Sequence, residues 1–167
     1  MNRDDLLELF EYNQWAKVRL LDSLSRVKQE DFSKDLHSSH GGIQGTLFHM
    51  VNAENIWISR LRGEELRTIN SEEVKSLGDL KAKWDELDKK LSMLISEYSD
   101  GDLLSEFEYQ DSKGNKFRHP RIWVFNQLFN HFTYHRGQIV TMQRQLGYEP
   151  AHTDIITFYR LGRGKAR

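Results

Sequence analysis

The chain has 167 residues, 38% hydrophobic and 29% charged, with a formal net charge of −1. That length and balance fit a single globular domain, 1–167, with a core of its own, and exclude a disordered chain. Near-neutral charge offers no broad pull toward nucleic acid, no run of eighteen apolar residues marks a membrane span, and the absence of cysteine removes disulfides, thiolate metal sites and cysteine nucleophiles.

The opening residues, Met1 to Glu8, have neither the basic start nor the apolar core of a secretion signal, so the cytoplasm is the expected compartment. Neither nucleic acid nor membrane is expected as a partner. A first helix is predicted from about Arg3 to Val27, with Leu6, Leu9, Phe10, Ala16, Leu20 and Leu24 on one stripe. Asn13 falls on that stripe, where a polar residue either anchors a buried hydrogen-bond network or faces a site.

After the breaker Ser38-Ser39-His40-Gly41-Gly42, a second helix runs from Ile43 to Leu61, carrying Leu47, Met50, Val51, Trp57 and Ile58, and Gly63 closes it. A third covers Leu77 to Tyr98; its stripe of Leu80, Trp84, Leu87, Leu91 and Leu94 reads as core without chemistry. Between Glu106 and His119 the period changes: Phe107 and Tyr109 alternate with polar residues, Ser112 to Asn115 supply a turn, and an extended pattern resumes, which predicts a short hairpin. Pro120 suits a first helical turn, and the fourth helix runs from about Arg121 to Leu146, stopped by Gly147 with Pro150 beyond. Four long helices of this kind predict an all-α, up-down four-helix bundle with a small β-hairpin before the last long helix. The basic residues Arg160, Arg163, Lys165 and Arg167 read as a solvated tail rather than a phosphate-binding arm.

On the fourth helix, Val124, Leu128, His131, His135, Ile139 and Met142 follow one another at spacings of three and four. The two histidines therefore point where the aliphatic residues point, one imidazole above the other. That geometry lets two nitrogens reach one divalent ion, and a third protein ligand would leave a position open for water or substrate. His49, within the second helix, is the candidate third ligand. His37 and His40 lie in the preceding loop, His119 in the hairpin and His152 after the bundle, all compatible with surface positions. On spacing alone, the pair reads equally well as hydrogen-bonded core histidines. A zincin protease is excluded, because Phe132 stands where the general-base Glu would follow the first histidine. No Gly-x-Ser-x-Gly elbow, P-loop or dinucleotide fingerprint occurs.

The run Asn130-His131-Phe132-Thr133-Tyr134-His135-Arg136-Gly137-Gln138 resembles the signature of the DinB-like family of four-helix-bundle metalloproteins. Tyr12-Asn13-x-Trp15-Ala16, Gly45 to Val51 with Glu54 and Trp57, and Thr153-Asp154 to Phe158-Tyr159 match the same family in order. The resemblance implies an up-down bundle, often a homodimer, holding a metal on His49, His131 and His135. One divalent ion, zinc or nickel, is the implied cofactor. Asn13, Asn52, Glu54 and Tyr134 are candidates for groups that orient the ligands or the substrate. Gly137, costly within a helix, is expected to mark a close approach by a neighbouring helix.

Three functions are compatible with such a site. Some members of the wider family are S-transferases that use a low-molecular-weight thiol such as bacillithiol, mycothiol or glutathione, and a cysteine-free chain would have to borrow its thiol. The others are a non-catalytic, stress-linked binder of metal or small ligand, and a metal-dependent hydrolase, for which no neighbouring general base is evident.

Overall fold

The structure is a computed structural model that describes residues 1–162. Arg163, Lys165 and Arg167 of the basic tail lie outside the described residues. Four long helices carry the architecture: α1 (Arg3–Leu24), α3 (Ile43–Arg62), α4 (Leu77–Glu97) and α6 (Arg121–Gln145). Between and after them lie α2 (Gln29–Phe32), α5 (Asp100–Leu104), a hairpin of β1 (Glu106–Gln110) and β2 (Lys116–Pro120), and α7 (Ile155–Arg160).

Local chemistry sets the helix ends. Asn2 and Ser76 open α1 and α4 with reciprocal capping boxes to Asp5 and Asp79, which satisfy amides that no helical turn can reach. Gly63 closes α3 in the left-handed region at φ 66°. The hairpin pairs Phe107 with His119 and Tyr109 with Phe117 in antiparallel register, as the alternation predicts.

The four-helix bundle and its hairpin are those expected, but the helix directions depart from simple up-down alternation, because the consecutive long helices α3 and α4 run parallel and the order is up-down-down-up. Helix α1 packs on α4 and α6, and α3 packs on the same two, so α1 and α3 face each other across the diagonal. Gln44 donates to the Lys75 carbonyl at 2.8 Å, Trp84 Nε1 to Glu54 Oε2 at 2.6 Å and the Tyr98 hydroxyl to the Leu61 carbonyl at 3.2 Å, so α3 and α4 run parallel. Asn13 meets Arg136 and Ser23 meets Gln143, so α1 and α6 also run parallel, while Lys17 on Asp85 sets α1 against α4. The connection 63–76 permits this winding: extended, it reaches about 45 Å, longer than the roughly 30 Å of a 20-residue helix.

The stripes read from the sequence fill the interior. Leu6, Leu20, Leu47, Met50, Leu80, Leu87, Phe125, Leu128 and Ile139 are fully buried. The segment after the bundle packs as well: Phe158 of α7 is buried against Tyr12 and Ala16, edge-on to Tyr12 at 5.8 Å. Polar groups also enter the seam between α1, α3 and α4. Lys17 is buried and pairs with Asp85 and Asp88, while the Glu54 carboxyl beside them accepts a hydrogen bond from the Trp84 indole N–H. Burial works against the Lys17 ammonium, but Asp88 and Asp85 outweigh it and raise its pKa. Burial, reinforced by the charge of Asp88, raises that of Glu54 well above the usual carboxylate range. Among the described residues, no helix is long and apolar enough to cross a membrane.

Candidate metal centre

The metal-ligand candidates come together where α3 crosses α6. His49 lies in the second turn of α3, flanked by the buried Leu47 and Met50. His131 and His135 lie one turn apart on α6, His131 half-buried and His135 only 4% exposed. The Nε2 of His131 stands 2.9 Å from that of His49 and 3.0 Å from that of His135. Antiparallel packing of α3 on α6 puts the three imidazoles into one cluster; the four-residue spacing on α6 does the rest.

Elementary bonding rules make this arrangement informative. A neutral imidazole nitrogen has a single in-plane site, either an N–H or a lone pair. The Nε2 of His131 therefore satisfies only one of its two close neighbours. His135 Nδ1 sits 2.7 Å from Gln138 Oε1, an acceptor, so the His135 proton belongs on Nδ1 and its Nε2 turns a lone pair inward. His131 Nδ1 is buried and has no hydrogen-bond partner among the described residues. A cation held by the three Nε2 atoms would relieve the crowding. Tetrahedral zinc with nitrogens at 2.0–2.1 Å spaces them about 3.3 Å apart, a small opening of the two separations at His131.

The electrostatics favour the same occupant. Burial first, then the neighbouring imidazoles, lowers the pKa of His49 and of His131 to about 4. Both rings are therefore neutral at pH 7, the form that ligates.

A fourth histidine joins the cluster. His40, from the loop before α3, stacks on His49 with ring centroids 3.8 Å apart and planes 15° from parallel, and meets His135 edge-on at 5.4 Å. Ligand atoms of His40, His49 and His135 lie within 4.8 Å of one another, a second set of three that shares two members with the first. The two sets share His49 and His135; the His131 set holds two separations of about 3 Å and lies wholly on helices, whereas His40 stands on a loop. Sequence reading placed His40 in a loop and gave it no part. The available signal was the glycine pattern Gly41-Gly42-x-x-Gly45, which lets that loop lie directly on the first turn of α3. Gln138, three residues after His135, was equally legible from helical spacing and was not singled out.

The remaining histidines sit elsewhere. His37 is exposed beside Asp35, His119 pairs with the Tyr109 hydroxyl at 3.1 Å, and the His152 carbonyl accepts from Arg19. Of the four residues expected around the ligands, three make their hydrogen bonds in other places. Asn13 accepts from Arg136 at 2.7 Å, Asn52 accepts from the backbone of Ile69 at 2.9 Å, and Glu54 accepts from Trp84. Tyr134 is exposed and touches the cluster through its ring, edge-on to His135 at 5.0 Å. Gly137 corrects its expectation: a Cβ there meets nothing within 4 Å, because the residue faces outward rather than toward another helix. It lines a cleft of about 520 Å³ with Tyr134, Gln138 and Met142, and a second cleft of about 380 Å³ is bounded by His40, Phe32 and Phe48.

The family profile described as the DinB family matches residues 1–163. The chain is 27% identical to Protein DinB of Bacillus subtilis over 161 residues, covering 90% of this chain and 91% of that protein. It is 20% identical to a second B. subtilis protein, the uncharacterized protein YizA, over 90% of this chain and 94% of the relative. A crystal structure of a DinB-like protein from Bacillus cereus superimposes with a TM-score of 0.61, at 19% identity, over 83% of this chain and 91% of that one, which supports the fold.

Proposed function

The chain belongs to the DinB family, and from that premise we propose that it holds one divalent ion, zinc or nickel, on His49, His131 and His135 and uses it to transfer a low-molecular-weight thiol to an electrophile. The observation that carries the reading is the convergence of three Nε2 atoms with only one proton site at the middle one. When bound, the ion supplies a Lewis-acid position that favours the thiolate form of an incoming thiol at neutral pH. The protein's own residues prepare that position. Burial keeps His49 and His131 neutral, and Gln138 fixes the His135 tautomer so that its lone pair faces the cluster. Tyr134, exposed at the rim, is placed to orient a substrate entering from the outer cleft. With no cysteine in the chain, the nucleophilic sulfur comes from outside.

The test is elemental analysis of untagged protein together with a thiol-transfer assay on an aryl electrophile, using bacillithiol and glutathione in turn. The expected result is near-stoichiometric metal and a rate that needs both metal and thiol. Ester cleavage without thiol that tracks metal content overturns the transferase reading in favour of a hydrolase. One observation favours a second reading, a non-catalytic binder of metal or small ligand: no carboxylate among the described residues hydrogen-bonds to the cluster. Loaded protein with no rate above background for any thiol selects it.

We further propose a cytoplasmic homodimer. Trp84 is buried, but Trp123 is 59% exposed and stacks with His119 at 5.5 Å, which leaves an aromatic surface of the kind interfaces use. Light scattering over a concentration series is expected to give twice the 19.8 kDa chain mass; the chain mass throughout excludes a stable dimer.

A further inference from the structure

We propose that His40 is a fourth protein ligand of this centre, carried on a loop, and that it fills in the resting protein the position an incoming thiol must take. The inference rests on the reading that the cluster binds metal. Three observations support it. The His40 ring is in van der Waals contact with that of His49 and its ligand atom falls within 4.8 Å of those of His49 and His135; because two nearly parallel rings cannot both aim an in-plane lone pair at one ion, His40 reaches it by rotating its side chain off the stack. Its backbone is held there deliberately: the Gly41 carbonyl accepts from Leu36 at 2.8 Å and from Ser38 at 3.2 Å, and the Gly41 amide returns a bond to Ser38 at 3.0 Å. Finally, the loop presses on α3 where only glycine fits, since a Cβ at Gly45 lies 2.0 Å from the His40 carbonyl oxygen. Alanine is the better helix former by about 1 kcal/mol, so glycine in the first turn of α3 costs stability that the close approach of His40 explains.

Location distinguishes this ligand from the others. His49, His131 and His135 stand on long helices fixed by core packing, whereas His40 stands on a loop anchored by a few backbone hydrogen bonds. When a fourth donor arrives, the loop ligand is the one that yields.

The test uses Co²⁺ titrated into metal-stripped full-length protein, with the visible absorption reporting coordination and a competing chelator reporting affinity. H40Q and G45A are compared with the wild type and with H37Q, a change at an exposed histidine outside the cluster. H40Q is expected to raise the Co²⁺ dissociation constant about tenfold or more, a loss at least as large as that of an outer-shell partner. It should also alter the visible bands, and added imidazole should restore them. G45A, which keeps the imidazole but displaces the loop, should move in the same direction, and H37Q should match the wild type. In Co²⁺-loaded protein, 2-mercaptoethanol should saturate the thiolate charge-transfer band at lower concentration in H40Q, because no side chain has to leave. Wild-type affinity and spectrum in H40Q overturn the proposal while leaving the three-histidine centre intact. Equal 2-mercaptoethanol midpoints overturn the displacement step. A wild type that takes up no Co²⁺ overturns both this proposal and the metal reading beneath it.

Discussion

Replacing His131 by alanine removes the ring that stands between the other two members of the triad. Both short nitrogen separations, 2.9 and 3.0 Å, run through its Nε2, so no other single change opens the centre as far. The same ring brings a buried Nδ1 without a partner among the described residues, so its loss relieves the metal-free protein of a crowded polar group. The metal-free variant is therefore expected to unfold within about 1 kcal/mol of the wild type, and the difference should emerge only on adding metal. Zinc held at a hundredfold excess over the wild-type dissociation constant stabilises the folded state by about 2.7 kcal/mol. For a chain of this size that corresponds to a rise in Tm of about 5–11 °C. If removing the ligand weakens binding about a hundredfold, the same zinc concentration adds only about 0.4 kcal/mol, a rise of about 1–2 °C. Differential scanning fluorimetry with and without zinc measures both shifts. Equal zinc-induced shifts in wild type and H131A refute the assignment of His131 as a ligand.

The metal-free protein should also show an imidazole-linked acid sensitivity. His49 and His131 have folded pKa values of about 4, below the ordinary histidine value of about 6.5, so between those limits the unfolded chain binds more protons and stability falls as pH falls. Glu54 and Asp88, whose pKa values are raised, act in the opposite sense, so the measurement is the wild-type minus H131A difference in urea stability, expected to shift against the wild type from pH 6.5 to 4; a difference independent of pH refutes it. Lys17→Met should cost about 3–5 kcal/mol by leaving Asp88 buried without its cation, and a loss under about 1 kcal/mol in chemical denaturation contradicts the pairing. Gly137→Ala should stabilise the monomer by about 0.5–1 kcal/mol, because its Cβ enters open space on a helix; destabilisation would show that something covers this face in solution.

The sequence alone determined the helices, because their signals are local. Stripes such as Leu80, Trp84, Leu87 and Leu91 recur at the helical period, and the turn at Ser112 to Asn115 is written in residues that favour turns. It also placed His131 and His135 on one face, since four residues make about one turn whatever surrounds them. The short helices α2, α5 and α7 escaped it, being too brief for periodicity to register. Only the tertiary structure decided that α3 runs parallel to α4 and antiparallel to α6, because the long connection 63–76 is compatible with either direction. That winding brings His49 beside His131 and turns Glu54 toward Trp84 and away from the histidines. Tertiary packing likewise brought in His40, whose place depends on a loop folding back across Gly45. Spacing along a chain fixes which residues share a helix face, but the groups facing them are set by elements far away in sequence.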